Sequence, residues 1–126
     1  MKKMKVVFVF YLCSILIGCF SKPDISDVEP EITEFWKPCE FLKPTNFKKT
    51  NGIDKGKEYE MAVYYELELI DDIPEKSECV VSYTRRKALE AVDAQNKMQR
   101  KAVKGDRLKV ETSFLMVESE NGWIIQ

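Results

Sequence analysis

Between Glu58 and Leu69 the chain alternates without a break. Tyr59, Met61, Val63, Tyr65, Leu67 and Leu69 hold one set of positions, and Glu58, Glu60, Ala62, Tyr64, Glu66 and Glu68 the other. A period of two sends successive side chains to opposite faces of a strand, so this segment has one apolar and one largely acidic face. Such a strand cannot bury its apolar face alone. It needs partner strands and a covering layer. Asp71-Asp72-Ile73-Pro74 stops the run. Leu108 to Val117 reads as a second strand, and Asn121-Gly122 separates it from Trp123-Ile124-Ile125, which predicts a terminal hairpin. Phe47 to Thr50 reads as a short strand entering a turn at Asn51-Gly52, and Cys79 to Tyr83 as another short strand.

Two helices complete the pattern. Ser26-Asp27-Val28-Glu29 matches a capping box and predicts a helix from Asp27 to about Trp36, ended by Pro38 and Pro44. Arg85 to Lys104 contains no Pro or Gly and is rich in Ala, Glu, Gln, Lys and Met, which predicts a long helix closed by Gly105. On it, Ala88, Val92 and Met98 share one face. Lys97, Arg100, Lys101 and Lys104 share the opposite one, with Arg86–Glu90 and Asp93–Lys97 spaced four apart as ion pairs. The fold class expected is α+β: a small antiparallel sheet of about four strands with one face covered by helix.

The first residues follow different rules. Lys2, Lys3 and Lys5 precede an apolar run from Val6 to Ile17, interrupted only by Ser14, and then Gly18 and Cys19. This is the layout of a secretory signal peptide, and the run falls short of the ~20 apolar residues that a spanning helix needs. Leu16-Ile17-Gly18-Cys19 resembles the lipobox of bacterial lipoproteins. The resemblance implies cleavage before Cys19, a diacylglycerol and an N-acyl lipid on Cys19, and no other cofactor. Residues 1–18 are then a signal peptide, 19–25 a lipidated tether and 26–126 a single small domain. Phe20, rather than Asp, follows Cys19. In a Gram-negative envelope that implies the outer membrane, facing the periplasm. Lys49-Thr50-Asn51-Gly52 and Glu120-Asn121-Gly122-Trp123 are similar to stretches of small envelope lipoproteins and carry no functional residues over.

Export gives the cysteines a meaning. Cys13 leaves with the leader and Cys19 is acylated, so Cys39 and Cys79 remain as a pair in an oxidising compartment, where a disulfide forms and persists. Two buried free thiols or intermolecular pairing are the alternatives. The chain from Cys19 onward has 17 basic against 21 acidic residues, a net −4 that argues against nucleic-acid binding. The charge is uneven. Arg85 to Lys109 carries nine basic and three acidic residues, so Lys97, Arg100, Lys101 and Lys104 form a candidate patch for an anionic surface or an acidic envelope protein.

The chain has no histidine, which removes the commonest general base, the Ser-His and Cys-His nucleophile pairs and most zinc sites. Carboxylates remain: Glu60, Glu66 and Glu68 on the strand, and Asp71, Asp72 and Glu75 after it. The first three read as the solvated side of a sheet, and the spacing of the others is not that of an EF-hand loop. The expectation is therefore a membrane-anchored envelope lipoprotein that binds or supports another envelope component, without catalytic residues or metal. The alternatives are a lipoprotein inhibitor or immunity-type protein acting through the acidic strand face, and a carrier with an apolar pocket of several hundred Å³.

Overall fold

The computed structural model describes residues 21–126. The leader, the Leu16-Ile17-Gly18-Cys19 motif and Phe20 lie outside the described residues. Four strands form one antiparallel sheet in the order β1 (Leu42–Asp54), β2 (Glu58–Leu69), β3 (Arg107–Ser119) and β4 (Gly122–Ile125). The sheet is an antiparallel meander, with tight turns joining β1 to β2 and β3 to β4 and a long helical connection joining β2 to β3. A 3-10 turn (Ile25–Asp27) and helix α1 (Glu29–Trp36) precede it, and α2 (Glu78–Val81) and α3 (Tyr83–Gln95) connect β2 to β3.

The alternation of β2 organises the core. All six of its odd-numbered residues from Tyr59 to Leu69 are buried, together with Leu108, Val110 and Met116 of β3. Val28, Ile32 and Trp36 of the α1 segment pack onto this face, as does Val92 of α3. The indole N–H of Trp36 donates to the Tyr65 hydroxyl at 3.0 Å, which satisfies both polar tips inside the core. Burial pushes the Tyr65 phenol above its ordinary pKa.

The disulfide joins Cys39, just after α1, to Cys79 in α2, and both are buried. Cys79–Val81 and Tyr83 lie in two helices, not in a strand. The Ser77 hydroxyl accepts from the amides of Cys79 and Val80 at 3.1 and 3.4 Å and caps α2. Extended backbone at Ser82 then separates α2 from α3. The three-residue apolar run Cys79-Val80-Val81 carries no period that distinguishes strand from helix, and the cap decides.

The first cap also differs from the sequence expectation. Asp24, not Ser26, caps the first turn. Its carboxylate accepts from Ile25 N at 2.8 Å, and Asp27 reaches back to Asp24 N at 2.7 Å. Residues 21–25 are therefore not a free tether. Pro23 is buried, and its carbonyl accepts from Lys49 Nζ at 2.8 Å.

Asn51-Gly52 lies inside β1 rather than at its end. The strand carries two register shifts, between Thr45 and Lys48 and between Lys49 and Asn51. Such bulges bend the strand, and Asn46 takes the left-handed conformation at the first (φ 55°). Gly52 is required for a different reason: a Cβ there would collide with the Tyr59 hydroxyl. The β1–β2 turn falls at Lys55-Gly56-Lys57, closed by Lys55 N donating to Glu58 O at 2.9 Å, with Gly56 at φ 85°.

Candidate functional site

The basic patch expected on a helix face is dismantled by the end of α3. The helix stops at Gln95, and Lys97 turns left-handed (φ 53°). Two side-chain amides explain the stop. Asn96 Oδ1 accepts from Lys109 N, and its Nδ2 donates to Lys109 O, both at 2.8 Å. Gln95 makes the same two bonds with Glu111, at 3.2 Å each. These amides fill the edge of β3 where β4 does not reach, a place that otherwise offers unpaired backbone to another chain.

Residues 97–106 then form a loop tied back to the sheet. Arg100 donates to both Asp106 carboxylate oxygens at 2.8 and 3.0 Å, and Val103 N donates to the same carboxylate at 2.9 Å. The Arg100 guanidinium and that amide hold the Asp106 carboxyl at a pKa of about 2, against an ordinary 3.8. Lys104 N donates to Asp72 Oδ1 at 2.8 Å, and Gly105 N to Leu69 O at 2.8 Å. Lys97, Lys101 and Lys104 are exposed, but on a loop and not in one helical row, and Asp106 matches the charge of Arg100. Asp93 makes no ion pair with Lys97, and burial raises its carboxyl pKa. On α3 itself the ion pair is Lys87–Glu90 at 3.2 Å, not Arg86–Glu90.

The outer face of the sheet is the second candidate, and its neighbours change its character. Glu68 sits between Lys43 and Arg107, Glu66 between Thr45 and Lys109, and Tyr64 between Lys48 and Glu111. The acidic side of β2 thus becomes a mixed-charge surface, because β1 and β3 carry the opposite sign beside it. On this face Glu66 is the carboxylate held by the most side-chain hydrogen bonds. It accepts from Asn46 Nδ2 at 2.6 Å and from the Tyr64 hydroxyl at 2.8 Å, with Arg107 at 3.6 Å. The Asn46 and Tyr64 hydrogen bonds lower the Glu66 pKa, and the bond to Glu66 raises that of Tyr64. A general acid needs the opposite environment, so this carboxylate is built to stay ionised. Sequence reasoning missed its partner, because only the bulge in β1 turns Asn46 toward it.

Beside the Gln95 and Asn96 contacts with β3 lies a concavity of about 600 Å³, and two others flank the core. One, of about 580 Å³, lies at the disulfide end among Glu40, Phe41, Asp71, Asp72, Lys76 and Glu78. The other is an apolar groove of about 280 Å³ between α1 and the β3–β4 edge, lined by Ile32, Phe35, Trp36, Tyr65, Phe114 and Ile125, with Glu31 and Thr112 at its margin. Among the described residues no group of three metal-ligating side chains converges, and no helix is long and apolar enough to cross a membrane.

The remaining candidate is the sheet end formed by the β1–β2 and β3–β4 turns. Trp123 is half-buried and packs against the core. Its ring lies 6.0 Å from that of Tyr59, and its indole N–H donates to the Ser21 carbonyl at 2.7 Å. The chain therefore enters the fold here, two residues after Cys19. No protein family, curated protein or solved structure matches this chain.

Proposed function

We propose that this protein is a lipid-anchored, non-enzymatic module of the cell envelope, acylated at Cys19 and facing the periplasm if the cell is Gram-negative. The observation that carries the reading is the buried Cys39–Cys79 bridge. Disulfides of this kind persist in exported proteins and are rare in the cytosol. The bridge therefore agrees with the signal-peptide layout that ends at Leu16-Ile17-Gly18-Cys19. The role proposed is to hold or support another envelope component at the membrane surface. Glu66 and Asp106 are both held as anions, which is not the protonated form that a general acid needs.

Membrane fractionation tests the anchor. Wild-type protein is expected to pellet with membranes through a high-salt wash, and Cys19→Ser protein to be released. Retention of the Cys19→Ser protein would contradict the reading.

The aromatic groove favours a second reading, carriage of a small apolar ligand. At about 280 Å³ it falls just below the volumes of ligand pockets, which run from roughly 300 to 1,000 Å³. Trp36 lines it, so a fatty acid titrated into the Cys19→Ser protein should change tryptophan emission saturably. An unchanged spectrum would remove this reading.

A further inference from the structure

The point at which the chain enters the fold sets how an anchored domain meets its membrane. Ser21 is tied to Trp123 by the 2.7 Å indole bond, and Pro23 is buried and held by Lys49. Two residues span at most ~7 Å, so Cys19 cannot stand further than that from Ser21. This is less than the ~10 Å between packed sheets. Acyl chains on Cys19 would thus enter the bilayer close to the turn end of the sheet.

That end carries the apolar surface such a position needs. Ile53 and Ile124 are 49% and 52% exposed. On the outer face, Ile53 lies opposite Glu60, which lies opposite Leu115, and Val117 lies opposite Ile124. Leu115 and Val117 are only partly covered. Glu60 is paired with Lys55 at 3.2 Å, which lessens its cost near lipid. Trp123 stands on the opposite face of the same end. Indole rings favour the membrane–water interface, where one side is apolar and the other wet. Residues 21–22, 53–60 and 115–124 together hold three lysines and five carboxylates, so anionic lipid offers no net attraction.

We propose that the turn end of the sheet is seated on a zwitterionic bilayer surface, with Ile53 and Ile124 on one side and Trp123 on the other immersed among the headgroups. The inference rests on lipid anchoring at Cys19. It makes the membrane a second contact of the folded domain and turns the disulfide end, with its polar concavity, away from the bilayer.

The test uses acylated full-length protein in phosphatidylcholine vesicles whose lipids carry bromine on the upper acyl carbons. Trp36→Phe leaves Trp123 as the fluorophore. Its emission should fall relative to unbrominated vesicles, and added Ile53→Asp and Ile124→Asp should restore it. Salt should leave the quenching unchanged. Hydrogen exchange of the acylated protein with both tryptophans present is the second readout, with slowing expected at 53–57 and 119–124 relative to the Cys19→Ser form. Acylated protein with unquenched Trp123 and unslowed turns overturns the seating and leaves the anchor standing. Protein that carries no acyl group overturns both.

Discussion

The indole N–H of Trp123 donates to the carbonyl of Ser21 at 2.7 Å, across 102 residues of chain. This bond joins the first described residue to the last hairpin. With the Asp24–Asp27 capping box and the Lys49–Pro23 bond, it makes residues 21–27 part of the domain.

Protein taken from the envelope should contain the Cys39–Cys79 bridge in full. Alkylation under denaturing conditions before reduction is expected to label neither cysteine, and a mass shift would contradict the bridge. The crosslink spans 40 residues, and its loss should cost about 2–5 kcal/mol. Cys39→Ala or Cys79→Ala protein should therefore unfold at a clearly lower urea midpoint.

Gly52→Ala should destabilise the sheet, because the new methyl meets the Tyr59 ring that lies over β1. Overpacking of this kind costs about 1–3 kcal/mol. Gly52→Ala combined with Tyr59→Leu should recover part of that loss in the same urea titration. A Gly52→Ala protein as stable as the parent would mean that the ring does not lie there.

Asn96→Ala should remove both bonds to Lys109 and leave that part of the β3 edge to water. The expected loss is about 1–2 kcal/mol, with faster hydrogen exchange at the Lys109 amide. The freed edge should also raise the tendency to associate, readable by light scattering. Unaltered exchange at Lys109 would count against the pairing.

Asp106 gives stability a defined pH dependence. Its pKa is depressed in the folded protein, to about 2 from 3.8. The folded form therefore binds the proton less readily than the unfolded chain. The contribution is present above pH 3.8 and is lost as pH falls toward about 2. Asp106→Asn should flatten the stability profile in that window, and a carboxyl NMR titration of Asp106 with an ordinary midpoint would refute the pairing with Arg100.

Strands β2 and β3 and the closing hairpin were legible in the sequence because a half-buried strand imposes period two on its own residues. The Cys39–Cys79 pairing was legible from cysteine number and from the export that the leader layout implied. What escaped depended on distant contacts. Nothing local ends α3 at Gln95, since its composition favours helix to Lys104. The Gln95 and Asn96 amides are drawn to a strand edge that exists only in the folded sheet. Asn51-Gly52 carries turn chemistry, but the glycine serves a close approach by Tyr59. The acidic face of β2 looked like a surface of one sign because a single strand does not show its neighbours, and register sets Lys43, Arg107 and Lys109 beside it.

The most direct test of the account is the mass of the N-terminal peptide released from membrane-fraction protein. A lipid-anchored protein should yield a peptide that begins at Cys19, heavier than its sequence by a diacylglycerol and an N-linked acyl chain. Cys19→Ser protein should lack this modification and leave the membrane. An unmodified peptide, or one that still contains Leu16-Ile17-Gly18 ahead of Cys19, would contradict the account.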